Sequence, residues 1–273
     1  MAFRYLNRPR GGSTRAFDTD VLAWEAAVVA NGGSVSLARR IILDQFVFSE
    51  KDSGAWALTD DYWGLWGEDA PQALTSLKRR VLAVATNSPV FTADRDYTFD
   101  GVTNYVDLIF SPATHAVAMS LNNCRIAAYA RTNVTSSGFD TGAASASNRA
   151  LRINTRSAGN CLGLNNTNTS TYTLPAADSR GYAATGWNGT TAADCYGYKN
   201  GVAMVRTGDA TTFGTSAASA SMFAGGYNNA GALAAPRAAS LGFITCGATL
   251  SGAQELAQYN AVQAWATSIG AQV

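Results

Sequence analysis

From about residue 105 onward, short apolar runs alternate with clusters of Gly, Ser, Thr and Asn, and this rhythm limits the fold more than any other feature of the 273 residues. Runs at 125–131 (RIAAYAR), 150–153, 172–174, 181–187, 193–198, 201–205, 221–227 and 239–246 each have strand length and turn-type flanks, which predicts an all-β domain. The run Tyr105, Val106, Leu108, Ile109, Phe110, closed by Pro112 and preceded by the turn dipeptide Asp100-Gly101, supplies the first strand. Lys199-Asn200-Gly201 predicts a tight hairpin, because Asn-Gly accepts the positive φ angles of a type I′ turn. Ser251 is placed to cap a final helix that packs Leu256, Tyr259, Val262 and either Trp265 or Ile269 on the sandwich.

Before Phe91 the spacing is helical. Asp18, Thr19 or Asp20 caps a helix with Val21, Trp24 and Val28 on one face, and Asn31-Gly32-Gly33 stops it. Ser34 or Ser36 caps a second, predicted to bury Leu37, Ile41 and Phe48 and to leave Arg39, Arg40 and Asp44 in water. Trp56, Leu58, Trp63, Leu65 and Trp66 follow, so four of the six tryptophans precede residue 70, as the core of a small helical module requires. Pro71 opens a helix with Leu74 and Leu77, and Lys78-Arg79-Arg80 is expected at its C-terminal end, where positive charge complements the dipole. The expected fold class is α+β and multidomain: an arm (1–17), a helical module (18–90) and an antiparallel β-sandwich with a C-terminal helix (91–273).

The charge distribution excludes several roles. Residues 1–100 hold 13 of the 19 acids and 11 of the 20 basic residues, so the β-rich part is almost uncharged and the whole chain carries +1. No basic face points to nucleic acid, no apolar run reaches the ~18 residues of a membrane helix, and the start lacks the apolar core of a signal peptide. Residues 1–17 hold Phe3, Arg4, Tyr5, Arg8, Arg10 and Arg15 and no acid before Asp18, which reads either as a frayed terminus or as an anchoring arm that orders on a partner.

The stretch FTADRDYTFDG…NYVDLIF, the helical lead-in AWEAAVVANGGSVSLARR…APQALTSLKRRVLAVATNSPVFTADR and the ending LGFITCGATLSGAQELAQYNAVQAW resemble tailed-bacteriophage and prophage virion proteins. Those proteins join a small helical module to a concanavalin A-like (LamG-like) jelly roll, and the resemblance covers roughly residues 18–273. It implies a structural protein of the virion, assembled in the bacterial cytoplasm as a head decoration, collar or tail appendage. Its implied partners are capsid, portal or tail proteins, further copies of itself and host-surface polysaccharide. The alternatives are a carbohydrate-binding adhesin and a glycan depolymerase.

Chemistry is sparse in the residues themselves. Glycosidases on sandwich folds use paired carboxylates, commonly as E-x-D-x-E, and no such motif occurs: Glu255 is the only Glu beyond residue 100, while Asp107, Asp140, Asp178, Asp194 and Asp209 are isolated. His115 is the only histidine, so a non-enzymatic chain is expected. Calcium, a frequent ligand of LamG-like sandwiches, finds only Asp140 and Asp209 as candidates, and no other cofactor is implied. Cys124, Cys161, Cys195 and Cys246 match no zinc spacing and leave buried thiols and disulfides both open. For glycan binding, Trp187-Asn188, Tyr196, Tyr198 and Tyr227-Asn228-Asn229 combine flat apolar rings with amide donors and acceptors.

Overall fold

Asn123–Ala130 shows how the molecule is layered. Cys124, Ile126, Ala128 and Ala130 face one hydrophobic core, and Ala127 and Tyr129 face another. A strand buried on both sides has no polar alternation, which is why RIAAYAR reads as a nearly continuous apolar run. The computed structural model describes residues 16–144, 150–157, 160–165, 168–173, 178–207 and 216–273. It shows mostly antiparallel sheets arranged as a β-sandwich, with a few helices that include a C-terminal one.

The first sheet runs Val202–Ala203, Cys195–Lys199, Gly181–Asn188, Asn123–Ala130, Ser240–Gly247, Asp96–Thr98 and Val90–Thr92, and Thr59–Trp63 also pairs with Ser240–Gly247. The second runs Val205–Thr207, Asn168–Thr173, Asn160–Asn165, Ala150–Ser157, Thr141–Ala144, Phe223–Ala224, Tyr105–Asp107 and Val84–Thr86, with Tyr227–Asn229 parallel to Thr141–Ala144. Between the sheets lie Val106, Leu108, Phe110, Ile126, Leu151, Ile153, Trp187 and Ile244. The Asn200-Gly201 hairpin forms with φ of 49° and 75°, the pair of left-handed residues its turn demands.

Helices Thr19–Ala30, Leu37–Asp52 and Gly252–Ser268 cover the outer side of the first sheet. Their starts are fixed locally: Asp18 accepts from the Asp20 amide, Ser36 from Arg39, and Ser251 forms a capping box with Gln254. Val21, Trp24 and Val28 are buried, joined by Phe46, Trp66, Phe243 and Trp265, and burying each large ring contributes about 2–3 kcal/mol.

The second helix corrects its predicted face. It buries Arg39, Leu43, Asp44, Phe46, Val47 and Glu50, while Leu37 and Phe48 are exposed. Polar partners explain the reversal: Arg39 donates to the Trp66 carbonyl and pairs with Asp94, and Asp44 accepts from the Asp18 amide at 2.7 Å. Leu256, expected against the sandwich, is exposed. Lys78-Arg79-Arg80 lies beyond the short helix Ala70–Leu74 and serves three places: Lys78 donates to the Trp56 and Thr59 carbonyls, Arg79 to the Ile109 carbonyl, and Arg80 pairs with Asp20.

Residues 18–90 contribute strands as well as helices. In Thr59–Trp63 both carboxylates are buried, because Asp60 accepts from the amides of Val117, Ala118 and Met119 at 2.6 to 3.0 Å and Asp61 from those of Tyr62 and Lys78 at 2.9 Å. Burial still pushes the Asp61 carboxyl up to about 6, against those amides. Among the described residues no helix is long and apolar enough to cross a membrane.

Candidate functional site

Directly paired residues in neighbouring strands project to the same side of a sheet. In the second sheet Asp107 pairs with Phe223, Phe223 with Gly142, and Gly142 with Arg152, which makes one row across four strands. Val106, Ala224, Ala143, Leu151 and Ile153 alternate with that row and fill the core, so the row lies on the outer face. Gly142 is required there: a Cβ at this position would lie 2.4 Å from the Arg152 Cβ and 2.4 Å from the Leu151 carbonyl oxygen.

Two aromatic groupings stand on this face. Tyr105 and Phe223 stack at 4.2 Å with 23° between their planes. Phe139 and Tyr227 meet edge to face, 5.3 Å apart at 88°, and the Arg152 guanidinium sits in the corner they form, 4.6 Å from the Phe139 centroid and 4.5 Å from that of Tyr227. Each such contact is worth about 0.5–1 kcal/mol, more where water is excluded. Burial pushes the Arg152 guanidinium below the usual arginine range, and Tyr227 opposes that shift through its charge interaction and a hydrogen bond. The Arg152 Nε is buried without a hydrogen-bond partner, and no carboxylate pairs with Arg152 among the described residues. Beside Tyr227, Asn229 is exposed, while Asn228 is buried and accepts from the Gly231 amide at 2.6 Å.

The other sugar-binding candidates lie elsewhere. Trp187 is buried on the core side of the first sheet, its Nε1 donating to the Leu121 carbonyl at 3.0 Å, between the paired residues Cys124 and Cys195. It forms one wall of an apolar cavity of about 220 Å³ shared with Met119, Leu121, Leu151 and Ala218. Asn188 is exposed at the end of that strand. Tyr196 and Tyr198 point to the opposite side, where Tyr198 packs on the helix-covered core. The seven predicted residues therefore occupy three separate places, and only Tyr227 and Asn229 belong to the outer face. Phe3, Arg4, Tyr5, Arg8, Arg10 and Arg15 lie outside the described residues.

Phe139 and Arg152 are absent from the sequence reading. Their one available signal is that ALRINTRS places arginines at alternate outward positions in an almost uncharged domain. Asp140 accepts from the Thr155 amide at 2.5 Å and pairs with buried Arg237 at 3.0 Å, so its charge is met by a guanidinium. Asp209 lies outside the described residues, and those described contain no group of His, Cys, Asp and Glu arranged to hold a metal. His115 accepts from the Ser111 amide through Nδ1, and burial, helped by Arg79, lowers its pKa. Cys124, Cys195 and Cys246 are buried, and burial pushes the Cys246 thiol well up.

A second concentration of ionisable groups is sealed between the helices and the first sheet. Arg125 pairs with Glu255 at 2.6 Å and donates to Gln258 and Tyr182, and Glu50 accepts from Tyr62 and from Gln258, each at 2.7 Å. Burial works against the Arg125 charge, yet Glu255 and Tyr182 hold its pKa well above the ordinary value. Burial pushes Glu50 up to about 7 despite its hydrogen bonds. These groups are closed to any ligand.

No family model matches the chain, and no curated protein does. Among solved structures it is similar to a mutant Trypanosoma rangeli sialidase displaying trans-sialidase activity, at 11% identity and TM-score 0.56, over 84% of this chain and 40% of that one. Trypanosoma rangeli sialidase in complex with the inhibitor DANA matches at 12% identity and TM-score 0.52, over 82% and 39%. This chain thus spans about two fifths of the length of those proteins, and at such identities the likeness shows the fold alone. The expectation of a non-enzymatic chain is corrected accordingly: the two matched structures are of sialidases, so the fold is one that enzymes share, and no activity is carried over to this chain. That expectation rested on a missing carboxylate pair, and some glycosidase families work with a tyrosine nucleophile instead.

Proposed function

We propose that the chain is a carbohydrate-binding β-sandwich whose outer second-sheet face, built from Tyr105, Phe139, Arg152, Phe223 and Tyr227, receives a glycan. The observation that carries this reading is a cluster on a regular sheet in which Tyr105, Arg152 and Tyr227 are half-buried and reach solvent, backed by the buried rings of Phe139 and Phe223, with exposed Asn229 beside it. Flat rings match the apolar faces of sugars, and the exposed amide supplies hydrogen bonds to hydroxyls. Titration on a glycan array followed by calorimetry tests it. Tyr227→Ala should weaken binding about tenfold, the value of one lost aromatic contact, while Asn188→Ala on the other sheet leaves it unchanged. Absence of binding to any glycan, or equal binding by Tyr227→Ala, overturns the reading.

The setting we propose is the virion of a tailed bacteriophage, supported by the sequence resemblance alone. In that setting the fold is a concanavalin A-like jelly roll joined to a helical module, residues 1–17 anchor it to capsid, portal or tail proteins, and self-association presents several faces to host-surface polysaccharide.

A further inference from the structure

We infer that the outer-face site takes an acidic glycan, with a sugar carboxylate seated on Arg152; this rests on the glycan-binding reading of the same face. The chain elsewhere provides its buried arginines with acids: Arg125 has Glu255, Arg237 has Asp140, Arg39 has Asp94 and Arg131 has Asp96. Arg152 is half-buried between Phe139 and Tyr227 and hydrogen-bonded with Tyr227, yet among the described residues it has no carboxylate. Removing a guanidinium from water without an anion is costly, and a ligand that brings the anion recovers that cost.

The carboxylate in the same row, Asp107, lies three strands from Arg152 and accepts from the Ile109 amide, so it does not meet the guanidinium. Arg156, four residues along the strand, is held by the neutral side chain of Asn133 at 2.7 Å, and nearby Asp140 is already taken by Arg237. Arginine presents parallel N–H groups that match a planar carboxylate bidentately, a fit that lysine lacks. The two perpendicular rings close two sides of the guanidinium and restrict the anion's approach to the open quadrant. Phe223 lies two strands from Arg152 across Gly142, about 10 Å away, farther than one pyranose ring reaches. The ligand is therefore an oligosaccharide or polymer carrying uronate-type residues, with a neutral sugar against Tyr105, the half-exposed partner of buried Phe223.

Polygalacturonate, the same polymer after carboxyl reduction, and dextran sulfate are the probes, with binding measured by calorimetry and affinity electrophoresis on the full chain. Polygalacturonate should bind at least about tenfold tighter than its reduced form, and the preference should fade as salt rises. Arg152→Gln should erase the preference while melting like the parent, and Arg152→Lys should restore only part of it. Equal binding of the charged and reduced polymers overturns the inference but leaves a glycan-binding face, whereas binding of none of the three, together with a blank glycan array, overturns both. Tighter binding of dextran sulfate than of polygalacturonate overturns the carboxylate assignment. Should Arg152→Gln fail to fold, the comparison of the three polymers on the parent protein still decides.

Discussion

Arg125 and Arg152 stand on opposite sides of the sandwich and are treated in opposite ways. Arg125, under the helices, has its charge matched: a carboxylate, a tyrosine hydroxyl and a glutamine oxygen meet its Nε and one terminal nitrogen, all buried, while the other terminal nitrogen has no partner. Arg152, on the outer face of the second sheet, is held by two aromatic rings and has no described carboxylate. A matched buried charge specifies how layers pack, while a covered but uncompensated one is a vacancy for a partner. The pairing of sheet and helices is thus fixed by polar geometry on one side, and the other side is where we propose that a ligand binds.

The sharpest way to break this contrast is to truncate both arginines. Arg125→Ala should cost about 3–5 kcal/mol in urea unfolding, because it leaves Glu255 buried alone, whereas Arg152→Ala should cost only about 1–2 kcal/mol, the value of its two ring contacts. Comparable losses at the two sites would erase the distinction. A smaller effect concerns pH. The Glu50 carboxyl is raised from 4.5 to about 7 in the folded state, so it binds its proton more tightly there; the stability it lends is complete below pH 4.5 and lost as pH rises through 7. Glu50→Gln should therefore remove that slope and exceed the parent by about 3 kcal/mol above neutrality, as read from unfolding across the pH range. The smallest effect belongs to the surface pair of Lys51 with Asp18 and Asp20: Lys51→Ala should cost no more than about 1 kcal/mol and lose even that at high salt.

Much of the fold was legible because local signals coincided with tertiary demand. Asn200-Gly201 needed two left-handed residues, Ser251 needed a partner at Gln254, and Val21, Trp24 and Val28 share one helical stripe. The strand Thr59–Trp63 was hidden because TDDYW offers two carboxylates where a buried strand should be apolar, and only the amides of residues 117–119 and of Lys78, distant in sequence, make that tolerable. Arg39 and Asp44 were misplaced for the same reason, since their compensating groups, Asp94 and the Asp18 amide, are far along the chain. At the candidate face Tyr227 was visible as an exposed type of residue beside asparagines. Its partners were not, because Phe139, Arg152 and Tyr227 meet only through the pairing of strands, Phe139 and Tyr227 being 88 residues apart along the chain.

The antiparallel ladder between Thr59–Trp63 and Ser240–Gly247 has a further meaning for how the chain is made. As the polypeptide leaves the ribosome, Trp24, Phe46, Tyr62 and Trp66 emerge early, but the strand carrying Phe243 and the helix carrying Trp265 arrive only about 200 residues later. For that interval the nascent protein holds an uncovered aromatic surface, and at roughly 5–20 residues per second the wait lasts ten seconds or more. Arrival of the strand Ser240–Gly247 and the helix Gly252–Ser268 is then what closes that surface.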